Sequence, residues 1–318
     1  GTFRKLGGKP WSVVGYICVL VGFLILSFYS EVVAWVFAYV AKALAGSLLS
    51  ADPAQTQASF DALVTDPVQS LLWQWVVLAF IGSILLLGVT KGIEAVTKKL
   101  MPLLFLLLLL LCGYSLTLPG AGLALSFLFA PEWHKITPAV VLTAMGLAFF
   151  KLSIGMGTMM TYGSYFTPGQ NIPATATRVM LADLSVSLLA GMAIFPAVFS
   201  FGFAPSAGPS LVFITIPAVF AQIPGGQVLL AAFFILTAIA ATGAMLSIME
   251  VPVVILHERW GLARPRATLL TLLILMLLGT GCALSQSLLA HIRPGGRTLF
   301  DWADYLSSNL LIDRKSVV

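Results

Sequence analysis

Charge is what this chain has least of. Asp, Glu, Lys and Arg make up 9% of its 318 residues, against about 25% in a soluble domain. That leaves too little polar surface to coat one or two water-soluble domains of this length. Cysteine is nearly absent too. Cys18, Cys112 and Cys282 are odd in number, far apart and set in apolar stretches, which excludes a disulfide scaffold and a Cys-based metal site. The histidines, His134, His257 and His291, are expected in loops and have no ligand spacing. No nucleophile–base pairing, metal cluster or phosphate loop is visible, so no enzyme chemistry is expected. Composition also excludes disorder, coiled coil and collagen.

What is there is apolar. The apolar share is 59% and mean hydropathy is +1.01. The apolar residues come in long blocks, and a bilayer core takes about 20 of them per helix. The expected fold class is therefore an all-α polytopic membrane protein. Seven spans can be drawn, near 11–44, 71–90, 100–118, 138–166, 174–203, 226–256 and 265–285, with an eighth starting near 298. Between them lie turn formers such as Asp52-Pro53, Pro119-Gly120, Thr167-Pro168-Gly169 and Pro224-Gly225-Gly226. The loop 204–225 holds an apolar stretch, Leu211 to Phe220, too short to span. It is expected either as a lid or re-entrant hairpin or as a surface helix that only packs.

The net charge of +5 comes from 17 basic and 12 acidic residues. In a membrane chain it reads as loop asymmetry rather than affinity for nucleic acid. On one side of the alternating loops stand Arg4, Lys5, Lys9, Lys91, Lys98, Lys99, Arg178, Arg259, Arg264 and Arg266. On the other stand Lys135, Arg293 and Arg297, together with the acidic loop of Asp52, Asp61 and Asp66. The positive-inside rule places the start of the chain in the cytoplasm, in a multi-pass protein of the cytoplasmic membrane.

One span is interrupted. Residues 138–166 carry Lys151-Leu-Ser-Ile-Gly-Met-Gly157 at their centre. Each glycine costs about 1 kcal/mol of helix propensity. Backbone groups freed by a break must face protein or a ligand cavity, and broken helices near mid-membrane are where many secondary transporters bind solute. Glycines that merely let helices pack closely are the plainer reading.

The stretch Phe149 to Tyr165 resembles the sixth helix of the neurotransmitter:sodium symporter family, especially its bacterial amino-acid transporters. Phe28-Tyr-Ser30 through Trp35 is similar to the family's third helix. Lys91-Gly-Ile-Glu94 with Met101-Pro102 resembles its fourth-to-fifth connection. Ala190 to Pro196, Ala207-Gly-Pro209, Phe220 to Gly226 and Asp301 to Ser308 match as well. The resemblance covers about residues 1–312 and implies one transporter domain. It implies a partial inverted-repeat (5+5) fold, here helices three to nine and the start of ten, without helices one and two. It also implies sodium-driven symport of an amino acid or similar small zwitterion by alternating access. A non-transporting binding or regulatory relative is the alternative. The last residues, Asp313 to Val318, read like a translated sequencing adapter, and the chain reads as a fragment open at both ends.

Carried over residue by residue, the resemblance implies a substrate site made by Tyr29, Phe150, Ser153, Met156 and Ile248. Tyr29 is to bond a substrate carboxylate, Phe150 to cover the substrate, and Met156 to shape its side-chain pocket. For Met156 and Ile248, core packing is an equal alternative. The ion sites depart from the family pattern. Lys151 stands where Thr or Ser usually ligates sodium, Leu147 where Gln is usual, and Asp183 where a sodium-ligating Asn is usual. Lys151 and Asp183 are natural partners, because an intramembrane charge is costly alone. The ammonium either replaces a sodium, or points away and snorkels, or leaves Asp183 to supply the negative charge that chloride gives elsewhere. At the second sodium site the family's Thr-Ser pair falls on Gly243 and Ala244, or in a shifted register keeps Thr242. Sodium binding is therefore expected to be weaker there. Glu31 sits about 200° round the helix from Tyr29 and is expected to have a structural partner elsewhere. Glu250 is expected to be a structural hydrogen-bond centre.

Overall fold

The computed structural model describes residues 8–9, 12–48, 50–88, 95–154, 157–166, 169, 171–202, 209 and 211–307. Two expectations fall outside them: the pocket role of Met156 and the non-native tail 313–318. Among the described residues every regular element is helical. Six helices are long and apolar enough to cross a membrane. They are α1 (Ser12–Leu44), α3 (Pro67–Leu86), α4 (Ala95–Ser115), α8 (Ile172–Ser200), α10 (Gly226–Trp260) and α11 (Arg264–Ala283). The remaining predicted span, 138–166, is divided into α6 (Pro138–Lys151) and α7 (Thr158–Gly163). Shorter elements are α2 (Pro53–Thr65), α5 (Ala121–Phe129), α9 (Ile216–Phe220) and α12 (Leu299–Asp304).

Starts and stops follow local chemistry. Pro53, Pro67, Pro138 and Pro173 stand in first turns, where no N–H is needed. Asp52, Asp66, Thr137 and Asn171 cap those helices with side-chain oxygens. Gly261, at φ 67°, ends α10 in the left-handed conformation that favours glycine.

The two longest helices, α1 with 33 residues and α10 with 35, form the spine. At about 1.5 Å per residue each is near 50 Å long, more than the hydrocarbon thickness. They run antiparallel. Gly46, just past α1, meets Gln227 at the start of α10, and Arg259 near the end of α10 lies over the Tyr16 ring at 4.6 Å. The helices α3 and α11 pack on α1 and on each other. Gly82 permits that approach, since a Cβ there would lie 2.4 Å from Leu272 Cδ1. On the other flank, α4 and α5 pack on α8. Ser115 Oγ donates to the Ala193 carbonyl at 2.5 Å, and Gly120 N donates to Ser200 Oγ at 2.7 Å.

The apolar stretch of 211–220 turns out to be part of the core. A wide turn at Leu211–Thr215 leads into α9, and both pack against α2. Ile216 to Phe220 are all buried. The Phe213 ring stacks on Phe60 at 5.1 Å and meets Tyr39 edge-on at 5.0 Å. Such aromatic packing holds the segment as a plug beside the ends of α1 and α10.

Candidate functional site at the broken helix

The helix α6 ends at Lys151, and the chain then leaves helical geometry. Ser153 has φ 55°. Its N–H bonds the Phe150 carbonyl, and the Ile154 N–H reaches back five residues to the Phe149 carbonyl at 2.9 Å. Gly157, at φ 82°, restarts the chain as α7, and the Thr161 N–H returns to its carbonyl at 3.0 Å. A left-handed residue on each side of the break turns the backbone out of the helix axis. The sequence expectation of an interrupted helix therefore holds.

Three residues predicted for the substrate site belong to, or pack against, one large core cluster. Ile248 is buried in the core between α1, α3, α10 and α11, and Tyr29 and Phe150, half-buried, pack against that same core. Pro252 stands four residues beyond Ile248 in α10. Its missing N–H leaves the Ile248 carbonyl without the usual helical donor. Ser153 lies at the break itself and is half-buried. Phe150 and Ser153 thus flank the point where α6 ends.

The short helix α7 is tied to the spine by two tyrosines that sequence reading did not single out. Tyr162 Oη donates to Ser247 Oγ at 3.1 Å, and Tyr165 Oη donates to Glu250 Oε1 at 2.7 Å. Glu250 is fully buried and takes both its oxygens to Arg264, at 2.8 and 2.7 Å. Glu250 is thus the structural centre expected of it, joining α7, α10 and the start of α11. Thr158 was missed as well. Its hydroxyl is buried at the first residue of α7 without a partner. The only sequence signal for it was its place directly after the Gly-Met-Gly break.

The chain matches the family model described as the sodium:neurotransmitter symporter family over residues 64–314. It belongs to that family. A Bacillus subtilis relative, the uncharacterized sodium-dependent transporter YhdH, is 41% identical over 96% of this chain and 67% of that protein. An uncharacterized sodium-dependent transporter of Haemophilus influenzae is 33% identical over 95% of this chain and 67% of its own length. The crystal structure of MhsT in complex with L-phenylalanine superposes with a TM-score of 0.88 at 40% identity, covering 98% of this chain and 71% of that one. The chain therefore spans about two thirds of these relatives. Both sequence relatives carry the name of transporters, which favours transport over a non-transporting relative.

In this symporter-family chain, Lys151 and Asp183, two residues expected at an ion site, are brought together. Lys151 Nζ lies 3.1 Å from Asp183 Oδ2 on α8 and also contacts Ser187 Oγ. Ser187 in turn donates to the Asp183 carbonyl at 2.6 Å. Three successive residues of α10 point three ways, as about 100° per residue requires. Thr242 is buried and donates to the Ala238 carbonyl at 2.7 Å. Gly243 faces α4, where a Cβ would lie 3.2 Å from Met101 Cε. Ala244 is exposed and brings no hydroxyl. Among the described residues no group of three or more His, Cys, Asp or Glu gathers to hold a metal ion.

Proposed function

We infer that this chain is the larger part of a sodium-coupled symporter. It carries an amino acid or similar small zwitterion across the cytoplasmic membrane by alternating access. The observation that carries this reading is the break between α6 and α7, which begins just past Phe150, a residue packed against the core cluster that also holds Ile248 and borders Tyr29. Exposed backbone at such a break satisfies the charged ends of a zwitterion in a low-dielectric setting. The apolar body of the substrate rests on Phe150 and Ile248, and the Tyr29 hydroxyl meets the carboxylate. α6 has no buried residue of its own. Its apolar surface is open for further helices of the same fold to cover.

The Lys151 ammonium takes the place of one sodium. It is a tethered cation held by Asp183 and Ser187, so it supplies the positive charge that the family's first ion gives. The second ion site, with Thr242 turned into the core and Gly243 and Ala244 lacking oxygen, binds sodium weakly. The basic-loop asymmetry orients the ends near Arg259 and Arg264 toward the cytoplasm.

Binding of radiolabelled L-phenylalanine and other amino acids to the full-length transporter in lipid, titrated with sodium, tests both parts. Sodium-stimulated binding of at least one amino acid is expected, without cooperativity in sodium. The double variant Lys151→Thr, Asp183→Asn is expected to gain a cooperative sodium dependence. Failure of every amino acid to bind overturns the transport reading. Cooperative dependence in the unaltered protein overturns the tethered cation alone.

A further inference from the structure

Among the described residues every other position with a positive φ is a glycine, and Ser153 is the exception. It stands where glycine is the rule. α6 closes with two nested backbone bonds. The Ser153 N–H donates to the Phe150 carbonyl at 3.0 Å, and the Ile154 N–H donates to the Phe149 carbonyl at 2.9 Å. A five-residue reach enclosing a three-residue one, with a left-handed residue at the exit, is the Schellman helix ending. Its left-handed residue is usually glycine, because a Cβ there crowds the following carbonyl oxygen. Asparagine and aspartate offset that crowding with a local side-chain hydrogen bond. The Ser153 hydroxyl makes no such bond among the described residues.

The same four backbone groups have a second way to pair. In a helix carried further, the Ser153 N–H meets the Phe149 carbonyl and the Ile154 N–H meets the Phe150 carbonyl, four residues back in each case. All four groups stay bonded, and Ser153 moves to ordinary right-handed geometry. The capped and extended ends therefore differ in strain at one residue, not in the number of these hydrogen bonds.

The elements on the two sides of Ser153 are held unequally. α7 is fixed to α10 through Tyr162 with Ser247 and Tyr165 with Glu250. α6 has no buried residue, and its last turn is held to α8 through Lys151 and Asp183. Ser153 is the joint between an anchored short helix and a longer one with an open flank. α6 has 14 residues, a lever about 20 Å long.

We propose that Ser153 is a two-state joint. A serine in the glycine position holds the capped and extended ends of α6 close in energy, so α6 switches between them and its far end at Pro138 moves. A glycine there would hold the capped end. The inference rests on backbone geometry and is independent of the transport reading.

Pulsed electron paramagnetic resonance on the full-length protein in lipid tests it. Spin labels go on Lys135→Cys, just before α6, and on Gln57→Cys on α2. Both residues are exposed, and the three cysteines of this chain are buried. Two label distances are expected with Ser153 in place. Ser153→Gly relieves the crowding and Ser153→Ala keeps it, and neither carries the hydroxyl, so their comparison reads the backbone alone. The ratio of the two populations is expected to differ between these variants by about fivefold or more, with the capped distance dominant in Ser153→Gly. Ser153→Asn, which tolerates the left-handed conformation, is expected to follow Ser153→Gly and serves where that variant fails to fold. Ser153→Gly is also expected to melt at a higher temperature than Ser153→Ala. Equal populations in the glycine and alanine variants overturn the two-state joint. A glycine variant that melts at or below the alanine variant overturns the strain that drives it.

Discussion

At the scale of single residues, Arg264 holds the Glu250 carboxylate through one nitrogen, Nη2, which donates to both oxygens. The carboxylate is fully buried, and Arg264 reaches it from the first turn of the next helix at 2.7 and 2.8 Å. Removing one member of a buried pair costs about 3–5 kcal/mol, because the other is left charged and alone. Arg264→Met is therefore expected to destabilise by about 3 kcal/mol or more. The double variant Glu250→Gln, Arg264→Met recovers most of that loss. Thermal unfolding in lipid checks both, and equal losses in the single and double variants would contradict it. The central role of Glu250 was legible from the sequence, as a lone acid in an apolar helix must find a partner. The identity of Tyr165 as its second partner was not. The two residues are 85 positions apart, and only the broken helix brings the phenol back onto α10.

At the scale of elements, turns and caps carry the constraints. Gly226 starts α10 so close to the end of α9 that a Cβ would lie 1.7 Å from the Phe220 carbonyl oxygen. Backbone cannot yield as a side chain does, so Gly226→Ala is expected to destabilise by about 4 kcal/mol or more. Loss of folded protein on size-exclusion chromatography reads this out. At the head of α3, Asp66 accepts from the Val68 and Gln69 N–H groups at 2.9 and 3.2 Å. Those bonds, the Gln69 backbone first, hold its carboxyl below the usual range. A lowered folded value means that its stabilisation is complete above the unfolded carboxylate range and fades as pH falls through the folded one. Asp66→Ala is therefore expected to lower the melting temperature at neutral pH, with the gap from the unaltered protein narrowing in acid. A gap that widens in acid would contradict this sign. Caps and prolines were readable in advance because they act within four residues. The burial of 211–220 was not, since its partners Phe60, Tyr39 and α10 come from distant parts of the chain.

For the whole molecule, orientation can be checked directly. The three native cysteines are buried, so they leave the surface free for introduced thiols. Gln57 on α2 and Glu258 near the end of α10 are both exposed. In intact cells, Gln57→Cys is expected to react with an impermeant thiol reagent, and Glu258→Cys only after the membrane is opened. The reverse pattern would invert the proposed topology. The low charge, the spacing of spans and the Gly-rich interruption needed only the sequence. They express the solvation of single segments, and a helix in lipid must satisfy its own backbone whatever its neighbours do. The family likewise was visible in short motifs. Three things only the tertiary structure decided. One is that Lys151 meets Asp183 across two helices, 3.1 Å apart. Another is that Thr242 turns into the core while Ala244 faces out. The last is that Ser70, buried in the first turn of α3, donates to the Leu63 carbonyl of α2. Each depends on helix phase and on contacts between elements far apart in the chain, and neither is written in the apolar pattern that makes the helices.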